Sequence, residues 1–305
     1  MLAVSTAWNY DPAKSGRKIL EEIRELGAAA VELGYRLSAR QLDEAVQALP
    51  ELGLKVSSVH NFCPIPGDGP SDRHPSNYYR LSAQDEQERC KAVLWTKVCV
   101  DTACRVGARV VVIHAGIIAM DNDPSIELVR LCKQGKSSLP DIQSALRKVL
   151  DIRLQARGPY LDAVRRSLRE VMPYAREKNI IIGLETRYYP TEIPNGEEIG
   201  ELLAEFGKQG MMYWHDFGHA EVNDRLGIMT HRDYLERYQD RLIGYHIHGV
   251  AGIKDHLAPF TGDFDLTTVL PYVQDKHIKV IESHAGATAE QMKNALRRLA
   301  AGGAS

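Results

Sequence analysis

Ala108–His114 reads ARVVVIH, Asn179–Glu185 reads NIIIGLE and Ile278–Ser283 reads IKVIES. Each is a near-continuous apolar, β-branched run with a histidine or glutamate at or beside its end. Such runs are strands buried on both faces, as in a parallel sheet covered by helices. Working outward from these three, five more strand candidates follow at Leu2–Ala7, Ala29–Leu33, Lys55–His60, Met211–Asp216 and Leu242–His248. Amphipathic segments at Ala13–Leu26, Ala39–Leu52 and Gln84–Val106 lie between strand candidates. Eight strands alternating with helices across 305 residues predict an α/β fold, a single (β/α)8 barrel spanning 1–305. A doubly wound sheet is the alternative. It would carry a glycine-rich turn after its first strand, and Trp8–Lys14, WNYDPAK, is not one.

Two stretches exceed what a minimal barrel needs. One is the loop Cys63–Ser82 after the third strand; the other is an insertion, Ile117–Tyr160, after the fourth. The insertion predicts a loop plus an extra helix, Leu139–Leu154, ahead of a separate barrel helix at Leu161–Lys178. The extra helix carries an apolar stripe, Ile142, Leu146, Leu150 and Ile152, which is the expected place for a homo-oligomer contact.

Apolar residues make up 44% of the chain and charged residues 26%, which excludes a disordered chain. The net charge of −2 gives no reason to expect wholesale attraction to nucleic acid or anionic lipid. Residues 130–178 depart from that balance, with twelve Lys and Arg against five Asp and Glu. They read as solvated helix faces; the alternative is a contact surface for a partner or a polyanion, although no aromatics interleave the charges. Five cysteines without a CxxC pair predict reduced thiols and a cytoplasmic protein. The N-terminal stretch has no basic region ahead of its short apolar run, so a secretory signal is not expected. No apolar stretch approaches the length of a membrane span.

The catalytic groups of such a barrel sit at the C-terminal ends of its strands. Those ends and the adjoining loops carry Glu32, His60, His114, Glu185, His215, Asp216, His219, His246, His248, Asp255, His256, Glu282 and His284. Eight of the eleven histidines are among them. Several carboxylates and imidazoles crowded at one mouth would repel or strand one another unless a cation sits among them. Histidine, aspartate and glutamate without cysteine suit Mn²⁺, Zn²⁺, Co²⁺, Fe²⁺ or Mg²⁺, so a divalent metal is the expected cofactor.

The sequence resembles the xylose isomerase-like TIM barrels, the group that contains endonuclease IV and many sugar isomerases and epimerases. The matching stations run in order: VSSVH at Val56–His60, GARVVVIHAG at Gly107–Gly116, GLETR at Gly183–Arg187, HDFGHA at His215–Ala220, GYHIH at Gly244–His248, HLAPFTG at His256–Gly262 and IESH at Ile281–His284. The resemblance implies a metal site of Glu185, Asp216, His246 and Glu282, with His248 open as the alternative to His246. In the endonuclease IV branch His60 and His114 would bind a second ion with Glu185 bridging. A third ion would use His219 and an Asp-x-His pair ending at His256. Here Lys254 stands at the first position of that pair and Asp255 is displaced by one, so the pair is broken.

The resemblance further implies isomerisation or epimerisation of a sugar, keto-polyol or sugar phosphate through an enediolate. Glu185 and Glu282 would move the proton. Glu32, Arg187 and His219 would position substrate hydroxyls, and Trp8 with Phe62 would shield the intermediate from water. One alternative is a multinuclear phosphodiesterase like endonuclease IV, with nucleic acid as substrate. Another is a dehydratase or lyase acting on a keto-polyol.

Overall fold

The computed structural model describes residues 1–120, 123–134 and 139–302. Eight parallel strands close into a barrel: β1 Leu2–Ser5, β2 Ala30–Leu33, β3 Lys55–His60, β4 Val110–Ile113, β6 Ile181–Glu185, β8 Met211–Asp216, β9 Leu242–Ile247 and β12 Ile278–Ile281. Two antiparallel ribbons stand above it. One pairs β5 Gly116–Ile117 with β7 Glu192–Ile193; the other pairs β10 Gly249–Ala251 with β11 Lys254–Leu257. The helices are α1 Gly16–Glu25, α2 Ala39–Leu52, α3 Glu86–Val106, α4 Pro124–Gln134, α5 Leu139–Glu177, α6 Gly196–Phe206, α7 Phe217–Arg225, α8 His231–Tyr238 and α9 Ala289–Ala300. The (β/α)8 expectation therefore holds, and all eight strand candidates contain a barrel strand.

Local chemistry explains the helix boundaries. Ser38, Asn195 and Thr288 open α2, α6 and α9, each with a capping box to the residue three positions on. Gly107 ends α3 with φ at 69°, a left-handed backbone that only glycine adopts freely.

The strand period sets the floor of the site. Ala3, Ala30, Val110, Val112, Trp214 and Val280 form an apolar cluster inside the barrel. Gly244 makes room for the Trp214 ring, because a Cβ there would lie 2.4 Å from it. Two residues further along the same strands stand Glu32, His114, Asp216, His246 and Glu282, so the rung above the apolar plug is the polar one.

The insertion differs from its expectation. Residues 139–177 form one continuous helix rather than two, running through Pro159. A proline removes an N–H and crowds the preceding turn, which favours a break. Here Val149, Leu161, Val164 and Leu168 are buried on both sides of it, and tertiary packing keeps the axis whole. The apolar stripe is also largely covered within the chain. Leu146 is buried and Ile142 and Leu150 pack on the core, leaving Ile152 exposed.

The basic excess is partly neutralised by the neighbouring helix. Arg157 pairs with Glu198 and Glu201, Arg165 with Glu201 and Glu205, and Arg169 with Glu205. No described helix is long and apolar enough to cross a membrane. All five cysteines are free.

Candidate active site

His246 is the hub of the barrel mouth. Its Nδ1 lies 2.8 Å from Glu185 Oε1, 3.0 Å from Glu282 Oε2 and 3.7 Å from Asp216 Oδ2. Its Nε2 lies 3.1 Å from Glu32 Oε2, and Glu32 also accepts a hydrogen bond from the Ser58 hydroxyl at 2.7 Å. A second group gathers on Glu185 Oε2: His114 Nε2 at 2.7 Å, His60 Nε2 at 3.3 Å and the Arg187 guanidinium at 3.2 Å. A third lies above Asp216, where His219 Nε2 is 3.5 Å and His256 Nδ1 is 3.0 Å from Asp255 Oδ2. The broken Asp-x-His spacing thus still brings a carboxylate to both histidines, because His256 takes a left-handed turn (φ 55°) in β11.

Most of these groups are buried and His114, Asp255 and His256 are partly so, so charge placement dominates their protonation. Burial opposes the charged forms throughout, and neighbours decide the outcome. The carboxylates of Glu282, Glu32 and Glu185 outweigh burial and hold the His246 imidazolium well above the usual histidine range. Glu185 is held well below the ordinary carboxylate range against burial by His114 and His246. Asp216 is lowered in the same way by His219 and His248, and Glu282 by His246 and His256. His114 falls to about 3, from burial first and then Arg187. His256 is pushed up to about 10, Asp255 overcoming its burial.

Glu185, Asp216, His246 and Glu282 each offer one ligand atom, and these atoms lie within 4.8 Å of one another. A single Nδ1 carries at most one proton, yet three carboxylate oxygens face it. Glu282 Oε2 is buried without an aligned hydrogen-bond donor. A cation among these oxygens would relieve both problems, and the all-oxygen-and-nitrogen donor set suits a hard or borderline divalent ion.

The structure also separates His246 from His248. His248 Nδ1 accepts the His256 backbone N–H at 2.9 Å, which places its proton on Nε2, 3.0 Å from Asp216 Oδ1. Both ring nitrogens are engaged, and His248 belongs to none of the ligand clusters. It orients Asp216 from behind.

Above this floor opens a cavity of about 790 Å³ lined by His60, His114, Glu185, Arg187, His219, His256 and Glu282 among others. Two residues expected to meet substrate do not reach it. Glu32 is fully buried beneath His246, where it orients that ring, and is absent from the cavity wall. Trp8 packs in the core with its ring N–H on the Ala287 carbonyl at 2.8 Å, and Phe62 is likewise a core residue. Arg187 does line the cavity while holding Glu185 and Glu192.

Sequence reading overlooked Tyr35, Tyr188, Tyr189, Glu192 and Lys133, which also line the cavity. These come from loops, the two-residue ribbon strand β7 and the insertion, outside the barrel strands whose period marks the inward side. A further omission is Arg153 of α5, buried, which donates to the Pro190 carbonyl at 2.6 Å and the Glu192 carbonyl at 2.9 Å and pairs with Glu198 at 2.6 Å. It ties the inserted helix to the loop that presents Arg187.

Comparison with known proteins follows the same lines. A family model described as xylose isomerase-like TIM barrel matches residues 20–301. An uncharacterized Sinorhizobium fredii protein, y4fM, is 24% identical over 262 residues, covering 82% of this chain and 74% of that protein. Among solved structures, a putative xylose isomerase of Rhodospirillum rubrum superposes with a TM-score of 0.72 at 14% identity over 98% of each chain. The 3-keto-D-glucoside 4-epimerase YcjR of E. coli gives 0.68 at 16% identity, again over 98% of each chain. An L-ribulose 3-epimerase gives 0.67 at 14% identity over 99% of this chain and 94% of that one. At such identities the likeness is one of fold, and sugar epimerases are among the proteins that share it.

Proposed function

Because the chain belongs to the xylose isomerase-like TIM barrels, we propose that it is a divalent-metal-dependent epimerase or isomerase of a keto sugar. The observation that carries this reading is the convergence of Glu185, Asp216, His246 and Glu282 within 4.8 Å, with Glu185 and Glu282 also lining the cavity of about 790 Å³. These four residues would hold the ion. When bound, it would polarise the substrate carbonyl and stabilise the negative charge of an enediolate.

The chain's own groups account for the rest. Glu185 and Glu282 flank the carbon beside the carbonyl: one, ionised, takes its proton, and the other, having picked up a proton from solvent, returns one to the opposite face. Arg187 fixes Glu185 and meets substrate hydroxyls together with His219. Glu32 and His248 orient His246 and Asp216 without touching substrate. A small-molecule carbohydrate is the expected partner.

A second reading has an observation in its favour. His60 and His114 share Glu185 Oε2, and Asp216, His219 and His256 form a further triplet, so the mouth has donors for more than one cation. Phosphodiester hydrolysis like that of endonuclease IV would use such an array. Metal stoichiometry on purified protein, with parallel assays of ketose epimerisation and abasic-duplex cleavage, decides. One ion per chain with ketose turnover is expected. Two or three ions with duplex cleavage overturn the sugar reading.

A further inference from the structure

The loop Cys63–Ser82 exceeds what a minimal barrel needs, and the site described above draws on none of it. It forms one short 3-10 turn, Pro75–Asn77, and brings His74, Ser76 and Asn77 to the wall of the active cavity. Ion pairs hold it from outside. Glu88 of α3 binds Arg73 and Arg80 at 2.8 Å each, and Lys91 of α3 binds Asp68 at 2.8 Å. Side chains carried by such a loop are ordered before a ligand arrives.

A chain of hydrogen bonds with a single direction ends on this wall. Arg36 Nη2 lies 3.3 Å from His74 Nε2, and His74 Nδ1 lies 2.8 Å from Ser76 Oγ. A guanidinium has only donors, so His74 Nε2 accepts. Partial burial of the ring, then the Arg36 charge, hold His74 below the ordinary histidine range. The ring is therefore neutral with its one proton on Nδ1, which donates to Ser76 Oγ. The Ser76 hydroxyl proton has to donate onward, and among the described residues no protein acceptor meets it. The side-chain amide of Asn77 beside it is likewise without a protein partner among them. Arg36 makes no ion pair among the described residues; its guanidinium lies 5.6 Å from the Tyr35 ring centre and 6.0 Å from that of Tyr10. Its charge polarises the chain toward the cavity.

We propose that Ser76 donates its hydroxyl proton to a substrate oxygen at the end of the sugar remote from the metal ligands, aimed by Arg36 and His74 as positioning residues. This inference rests on the keto-sugar reading above and adds a specificity determinant to it. Glu185 and Glu282 stand at strand ends, whereas Ser76 lies on the loop beyond β3, so one group of residues handles the reacting carbon and the other the far hydroxyl. A polar group placed to bond a substrate hydroxyl disfavours the analogue that lacks it, because the site is then left unpaired. For one neutral hydrogen bond the discrimination is about two- to tenfold.

The test measures solvent-deuterium incorporation by NMR, on the metal-loaded full chain, into D-fructose, 6-deoxy-D-fructose and 1-deoxy-D-fructose. Each sugar is compared with itself across variants, which cancels differences in ring opening. Ser76→Ala should raise KM about two- to tenfold for D-fructose and the 1-deoxy sugar, leave KM for the 6-deoxy sugar unchanged, and keep kcat near wild type. Ser76→Thr, which retains the hydroxyl, should restore the wild-type pattern. Arg36→Met should move the same two KM values in the same direction by a smaller factor. Equal losses for all three sugars, or unchanged KM for all three in Ser76→Ala, overturn the inference and leave the keto-sugar reading standing; the hydroxyl then packs or donates to water. Wild-type KM values in Arg36→Met overturn the relay. No exchange into any of the three sugars by the wild type overturns both readings.

Discussion

His215 and Asp216 adjoin at the end of β8, yet they belong to different regions of the molecule. Asp216 points into the barrel, 3.0 Å from His248 and 3.7 Å from His246. His215 points outward, with Nδ1 2.6 Å from the Tyr213 hydroxyl and Nε2 3.1 Å from His231 Nδ1. Phe217, Tyr234 and Tyr245 surround its ring. Burial, then the neighbouring His231, pushes His215 well below the usual histidine range, whereas carboxylates drive His246, equally buried, well above it. A histidine at a strand end is therefore not a site residue by position alone. The rung it occupies decides whether it meets carboxylates or aromatic rings.

The sharpest way to break this contrast is to neutralise the inward face. Glu185→Gln and Glu282→Gln should each cut solvent-proton exchange by about 10²- to 10⁴-fold, the usual span for a lost general acid–base group. Both proteins should keep the wild-type circular dichroism spectrum. Retained turnover in either variant removes that carboxylate from proton transfer. The next largest effect concerns Arg153, which couples the insertion to the inward face through Glu198 and the Glu192 carbonyl. Arg153→Met leaves Glu198 buried and short of its best partner, so urea unfolding should show a loss of about 3–5 kcal/mol. Loosening of the Arg187 loop should raise KM more than it lowers kcat. A loss of stability with unchanged KM would show that the clamp does not reach the site.

The swap across β8 is smaller. His215→Phe leaves the Tyr213 hydroxyl with Thr186 alone and takes the partner from His231 Nδ1, which costs about 1–3 kcal/mol, but the protein should bind as much metal as wild type. His246→Phe should lose the metal. Equal metal loss in both variants, read by atomic absorption, would erase the distinction between the two faces.

Sequence reading caught the inward rung because ARVVVIH, NIIIGLE and IKVIES announce buried strands, and the (β/α)8 order then says which end matters. It also found Asp255 but not its reach, since a left-handed His256 cannot be seen in a one-residue shift of spacing. It misplaced Glu32 and Trp8. A carboxylate at a strand end looks the same whether it faces a ligand or props a histidine from beneath. It divided α5 into Leu139–Leu154 and Leu161–Lys178, because the packing that keeps one axis through Pro159 is long-range. Tyr188 and Tyr189 come from an irregular segment, where no period marks the inward side, and Lys133 comes from the inserted helix α4.

The smallest effect extends the comparison to the opposite end of the barrel. His277 is buried against the Tyr245 ring at 5.3 Å. Its surroundings resemble those of His215, since burial first, then Lys276, Lys279 and the chain's amino group lower it to about 4. The folded protein therefore resists protonating this ring, while the unfolded chain accepts a proton near the ordinary histidine value of 6.5. The contribution is fully present above that value and is lost as pH falls toward 4. Thermal midpoints of wild type should drop across this window, and His277→Phe, which keeps a ring but cannot titrate, should drop less. Parallel curves would mean that this ring is no harder to protonate in the fold than out of it. The grouping of His277 with His215, by the lack of a carboxylate partner, would then fail.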